Sequence, residues 1–291
     1  MKKAIIDIGS NSVRLCVFAN GIVIFRDKIT SQLAEGLSDD LYLSKQSIER
    51  TVQALKELAE KALALGVERE EIFAFATAAV RNSVNGKEFC DLAKSVVNQP
   101  IDVLSGDLEG EMALLGVFSG GDGVCLDIGG GSTELVVAKD RKILYSHSIK
   151  IGAVVLYDKC GEDRDALQKL INEKLSEYKD IKIEALTAIG GTCSIIAMLQ
   201  RNLKKYDREI VNNTYIALSD LELIVERLFT LSKEQRVEIL GIKEKRAKII
   251  CGGALILLSI LKKFNLSGVT VSENDNLEGY YRYLEGMRYE K

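Results

Sequence analysis

Two stretches decide how this chain folds: Asp7-Ile8-Gly9-Ser10-Asn11-Ser12 and Asp127-Ile128-Gly129-Gly130-Gly131-Ser132-Thr133-Glu134. Each follows a short apolar run, Ala4-Ile5-Ile6 or Val124-Cys125-Leu126, and each runs into another, at 13–18 or 135–138. Such a pattern predicts a strand, a tight glycine turn and a returning strand. Glycine permits positive φ and lets backbone N–H groups approach an anion with no Cβ in the way. Successive N–H groups in a turn of this kind form a concave anion site, and the leading Asp can hold a cation through water. Recurrence of the turn predicts a duplicated domain that grips phosphate from both sides.

The bulk properties narrow the field. The chain has 291 residues, 47% of them hydrophobic, enough for two modest domains with separate cores. A formal net charge of −3 argues against general attraction to DNA or to an anionic membrane, so a polyanionic substrate needs a local cluster of Lys and Arg. The six cysteines (Cys16, Cys90, Cys125, Cys160, Cys193, Cys251) form no C-x-x-C pair and are expected to be reduced thiols of a cytoplasmic protein. The N-terminus enters a strand directly, without the apolar core of a signal peptide, and no segment approaches membrane-spanning length. His147 is the only histidine, which excludes His-rich metal centres and leaves a carboxylate, or water held by one, as the general base.

Periodicity predicts strands at 3–8, 13–19 and 22–29, a helix capped by Ser44, a strand at 72–76, a helix at 86–97, a strand at 101–104 and a helix at 109–118. The second half repeats the plan. Strands at 123–127, 134–139 and 142–150 precede a helix near 165–178 and a strand at 184–189. Helices follow from about 194 to 201 and at 219–231, 233–240 and 246–264, with a strand at 268–272 and a terminal helix from about 277. The expected organisation is an α/β protein of two domains, 1–121 and 122–291, with an interdomain cleft. The terminal helix is a candidate to pack back on the first domain. Ligands of open α/β sheets sit at the carboxyl ends of strands, where all the glycine turns fall. Duplication of this kind is similar to the actin-like ATPase (ribonuclease H-like) architecture of actin, Hsp70 and sugar kinases.

Within the turns, Gly129, Gly130, Gly131, Ser132 and Thr133 are candidate phosphate ligands, with Asp127 and Glu134 flanking them to position Mg²⁺ or water; the bland alternative is a tight hairpin with no ligand. Ser10, Asn11 and Ser12 offer donors from the first turn, and Arg14 is a further candidate for the same cleft. A third turn, Gly190-Gly191-Thr192, joins a strand to a helix whose N-terminus suits a phosphate, although such a junction also occurs simply as a sharp corner. The charge runs Lys243 to Lys248, Arg201 to Arg208 and Lys262-Lys263 read as solvated helix faces in preference to a polyphosphate track.

Two further blocks bring a family into view: Ala76-Thr77-Ala78-Ala79-Val80-Arg81-Asn82-Ser83-Val84-Asn85-Gly86 and Ser105-Gly106-Asp107-Leu108-Glu109-Gly110-Glu111. With the three turns, Ile151-Gly152-Ala153-Val154, Gly252-Gly253-Ala254 and Val271-Ser272-Glu273, they resemble the exopolyphosphatase/guanosine-pentaphosphate phosphatase (Ppx/GppA) family over nearly the whole chain. The resemblance implies a Mg²⁺-dependent hydrolase that removes terminal phosphate from polyphosphate or pppGpp. It implies that Glu109 is the catalytic glutamate, that Arg81 holds phosphate, and that Asp127 to Glu134 form the phosphate and metal loop, with Asp7 a further metal candidate. It also suggests a homodimer.

Departures from the family pattern are local. Leu108 replaces the acid that usually precedes the catalytic glutamate, Val155 an arginine, and Lys248 an aspartate. Asn274-Asp275-Asn276-Leu277-Glu278-Gly279 replaces a segment usually close to G-G-L-R-E-G. Two alternatives therefore stand beside the hydrolase: a (p)ppGpp-binding sensor with little turnover, and an ATP-dependent small-molecule kinase of the same fold.

Overall fold

The computed structural model describes residues 1–37 and 41–290 and places two mixed sheets side by side. The first has the order β3-β2-β1-β4-β5, from Ile22–Ile29, Val13–Ala19, Lys2–Ile8, Ile72–Ala76 and Ile101–Val103. The second has the order β10-β11-β9-β6-β7-β8, from Thr214–Ala217, Gly268–Val271, Thr187–Ile189, Gly123–Ile128, Thr133–Lys139 and Lys142–Ile149. In each, an antiparallel meander is extended by parallel strands beside its first strand, β4 beside β1 and β9 beside β6. This is the duplicated actin-like α/β arrangement expected from the paired turns. The second copy adds β10 as an antiparallel edge.

The helices that matter for the site are α1 (Lys45–Ala64), α2 (Ala78–Arg81), α3 (Gly86–Val97), α4 (Gly106–Phe118), α5 (Ala153–Cys160), α6 (Arg164–Leu175), α7 (Gly191–Gln200), α8 (Arg208–Val211), α9 (Leu218–Thr230), α10 (Lys233–Leu240), α11 (Glu244–Ala247), α12 (Ile250–Lys263) and α13 (Asn276–Leu284). Each sheet buries one face under its own helices. Ile6, Leu15 and Val17 pack with Leu55, Leu58 and Phe89, whereas Leu126, Leu135 and Ala188 pack with Ile171, Cys193 and Leu257. A third apolar layer joins the halves: Ile5 and Phe75 from the first sheet, Val136 and Ala138 from the second, and Met112, Leu115, Leu277 and Tyr280 between them.

Helix α4 is the keystone of that layer, and its composition follows from its position. Ser105 caps it through a bond from the Leu108 amide (3.2 Å), and Met112 to Leu115 are buried on every side. A Cβ at Gly106 would come 2.6 Å from the Ser148 Cβ, and one at Gly110 would collide with Val136. These two glycines seat the helix directly on β7 and β8. On its other side, Gly116 faces the Asp275 backbone and Gly279 faces the Met112 backbone, each without room for a Cβ, so α4 and α13 cross in backbone contact. Stacking of Tyr281 on Phe18, with ring centroids 4.1 Å apart, ties α13 to the first sheet as well.

All six cysteines are free, and no helix of the described residues is long and apolar enough to cross a membrane.

Candidate active site

The two glycine turns are closed alike. The Gly9 amide donates to the Ser12 carbonyl at 3.1 Å, and the Gly129 amide to the Ser132 carbonyl at 3.0 Å. Strand register then places Asp7 opposite Arg14, and Asp127 opposite Glu134. Cross-strand neighbours share a face, so their side chains meet. The first hairpin therefore carries an ion pair, with Arg14 Nε 2.8 Å from Asp7 Oδ2, and the second carries two acids. This one difference between otherwise equivalent turns sets where a cation can sit.

Helix α4 supplies the third acid. Ligand oxygens of Glu109, Asp127 and Glu134 all lie within 4.8 Å of one another, and all three residues are buried. Arg81, at the end of α2, donates to Glu109 Oε2 at 2.8 Å and to the Leu104 carbonyl at 2.7 Å, with Glu134 at 3.9 Å. Ser148 donates to Glu134 Oε1 at 2.6 Å, and Asn276 to Asp127 Oδ2 at 2.8 Å. Burial, and then the charge of Glu134, raise Glu109 well above the usual carboxylate range, with Arg81 opposing. The same two causes push Asp127 up to about 7. Glu134 is raised by burial and keeps Oε2 buried without any hydrogen-bond partner. Three buried carboxylates brought together, with an orphaned Glu134 oxygen among them, have the donor chemistry of a hard divalent cation site.

Asp7 is not part of that trio. Its carboxylate is bound to Arg14, with Oδ1 buried and unpartnered. Ser10, Asn11 and Ser12 are buried where the two turns meet: a Cβ at Gly130 would lie 2.8 Å from the Ser10 Cβ, and one at Gly131 would lie 2.8 Å from Ser10 Oγ and 3.1 Å from the Ala78 Cβ. Close approach of the turns thus accounts for glycine at both positions. The Gly129 and Gly130 carbonyls accept the first amides of α5, from Ala153 (3.0 Å) and Val154 (2.9 Å). The Thr133 hydroxyl donates to the Ile151 carbonyl at 2.7 Å, and Ser132 bonds to Glu134. At the third turn, Gly190 has φ of 96°, where only glycine is unstrained, and Thr192 is packed against Gly253.

Several site residues escaped the sequence. Arg246 lies in a charge run expected to be solvated, yet its guanidinium sits over Gly191 at the start of α7, where a Cβ would come within 2.7 Å of it. Burial and the charge of Arg14 lower it to about 10. Lys28 reaches solvent, but the crowded wall around its stem and the charges of Arg246, Arg14 and Lys243 pull it down to about 8. Neither has an ion-pair partner among the described residues, in contrast to Lys248, which pairs with Glu35. Register could have found the Asp7–Arg14 and Asp127–Glu134 difference, since both pairs are seven residues apart. No local signal marks Arg246. His147 sits on β8, edge-on to Tyr178, with no place in the carboxylate cluster.

The fold and site define an actin-like α/β protein with a buried acid cluster and an arginine beside paired glycine turns. The family model of the Ppx/GppA phosphatase family matches residues 18–283, and the chain belongs to that family. It is 31% identical, over 98% of its length, to a bifunctional 3-dehydroquinate synthase/phosphatase of Fusobacterium nucleatum, of which it spans 46%. Identity to exopolyphosphatase 2 of Mycobacterium tuberculosis is 28%, covering 97% of this chain and 98% of that protein. The crystal structure of an Aquifex aeolicus member of the Ppx/GppA family superposes with a TM-score of 0.80 at 28% identity, over 98% of both chains.

Proposed function

We propose that this protein hydrolyses the terminal phosphoanhydride bond of inorganic polyphosphate, and of pppGpp by the same chemistry. The observation that carries the reading is the buried trio Glu109, Asp127 and Glu134, bonded to Arg81 beside two opposed glycine turns. The family match and the exopolyphosphatase relative support it.

Residues 1–121 and 122–291 are the two lobes in this reading, and the terminal phosphoryl group lies beside Arg81 and the acid trio. Arg81 neutralises charge on its oxygens. Lys28 and Arg246, without an ion-pair partner among the described residues, hold the rest of the polyanion near the N-terminus of α7. Glu109 orients a water and accepts its proton as the oxygen attacks phosphorus. The bridging P–O bond breaks, its electrons leave with the shortened chain, and the proton passes from Glu109 to solvent. Burial raises Glu109 and the Arg81 guanidinium opposes that rise, so the arginine favours the carboxylate form that a base requires. Asp127 and Glu134 fit Mg²⁺, which would supply charge stabilisation to the phosphate oxygens. Asn276 and Ser148 fix the two carboxylates that would hold it.

The test is phosphate release from polyphosphate and pppGpp in parallel, with Mg²⁺ or EDTA, in wild type and Glu109→Gln. Release that needs the cation and is lost in the variant supports the reading. Tight binding without release, unchanged by Glu109→Gln, would replace it with a sensor.

A further inference from the structure

Arg14 lies in the site and is held by two acids at once. It projects from β2 just after the first glycine turn, within electrostatic reach of Asp127. One side of its guanidinium is bound by Asp7, and Nη1 is bound by Asp275. Asp275 comes from the other end of the chain, at the N-cap of α13, where its Oδ1 accepts the Leu277 amide at 3.0 Å. Its position is fixed by the backbone crossing of α13 on α4. Lys28 and Arg246 nearby carry no such partner.

We propose that Asp275 is a specificity-determining residue that competes with phosphate for Arg14, so that the site rejects orthophosphate and simple esters and admits condensed phosphates. The inference rests on the phosphohydrolase reading above. A single phosphate beside Arg14 must displace a carboxylate that is already seated and desolvated. A chain of three or more phosphates also engages Lys28 and Arg246, and these added contacts outweigh the lost Arg14–Asp275 pair. Close buried charge pairs are strong enough to act as such a threshold. Two acids on one arginine also limit product retention, because the released orthophosphate meets the same competitor.

The experiment measures the affinities of orthophosphate and tripolyphosphate by calorimetry in a Glu109→Gln background, which allows binding without turnover. Asp275→Asn and Asp275→Ser are compared with the parent; both residues still cap α13, and melting curves confirm folding. The expected result is that orthophosphate binds roughly tenfold or more tightly in both variants, while tripolyphosphate gains less, so that the ratio of the two affinities contracts. An unchanged ratio, or weaker binding of both ligands, would mean that Asp275 merely positions Arg14 and would overturn the inference alone. Failure of the parent to bind tripolyphosphate, together with no phosphate release by wild type, would overturn the phosphohydrolase reading and this inference with it.

Discussion

At the scale of residues, the site is a balance of buried acids against two arginines, and its titration follows from that. Asp127 is pushed up to about 7 by burial and by Glu134, from an ordinary value of 3.8. In the metal-free protein, native Asp127 keeps a proton that the unfolded chain gives up, so its contribution to stability is lost as pH rises from about 4 to about 7 and is flat above that. Glu109 and Glu134 act in the same direction. A divalent cation prefers all three ionised, so the rise in melting temperature on adding Mg²⁺ should grow across this window. Thermal melts from pH 5 to 8, with Mg²⁺ and with EDTA, check this; a gain independent of pH would remove the trio as the cation site. Glu109→Gln should lower kcat by roughly 10²–10⁴-fold, the usual worth of a positioned base, with far-UV circular dichroism unchanged. A kcat within a few-fold of wild type would assign the base elsewhere.

Among elements, what the sequence revealed and what it hid divide along physical lines. The paired hairpins, α1 with its Ser44 cap, α3 and α10 were legible because their signals are local: a turn residue, a cap, an apolar period. Helix α5 was not, because its N-terminus has no side-chain cap and is satisfied by the carbonyls of Gly129 and Gly130, more than twenty residues upstream. Strand β10 is four residues long, on a sheet edge, and has too few positions to show alternation. The expected helix at 246–264 is divided, with α11 ending at Ala247 and α12 starting at Ile250; that break turns Arg246 inward onto Gly191. Glu109 was found through family resemblance, and α4 explains why it works there: glycines on both sides let the helix sit flat on β7 and against α13. Gly279→Ala forces a methyl into the Met112 carbonyl and should cost about 1–3 kcal/mol of stability, as overpacking does. Because α4 also carries Glu109, the same substitution should lower kcat. Denaturant melts with steady-state assays test both, and a stable variant with full kcat would show that α4 does not depend on this crossing.

For the whole molecule, the question is what keeps the two halves together at the cleft mouth, away from the apolar layer around α4. The segment at 30–36 answers it with polar contacts set beside Leu33 and Ala34, which share an apolar cluster with Ala153, Val154 and Ile249. Lys245 Nζ donates to the Thr30 carbonyl at 3.1 Å, Lys248 Nζ lies 3.2 Å from Glu35 Oε1, and the Gly36 amide donates to Asp158 Oδ2 at 3.3 Å. Lys248 also lies over the Tyr157 ring, 5.4 Å from its centroid. Each of these contacts is partly exposed, and exposed pairs contribute little singly and less in salt. Lys248, where the family resemblance implies an aspartate, here meets Glu35 on the opposite side. On the proposed function, weak, screened contacts at the mouth and the apolar layer at the base would let a polyanion close the two halves from within the cleft. Lys248→Asp places like charges across the mouth and should enlarge the radius of gyration of the ligand-free protein in small-angle scattering, as should 0.5 M NaCl on wild type. Tripolyphosphate, bridging Lys28 and the first turn on one side and Arg246 on the other, should restore the compact value in the variant. An unchanged scattering profile in Lys248→Asp would place the resistance to opening in the α4–α13 layer and leave the mouth contacts without a part in closure.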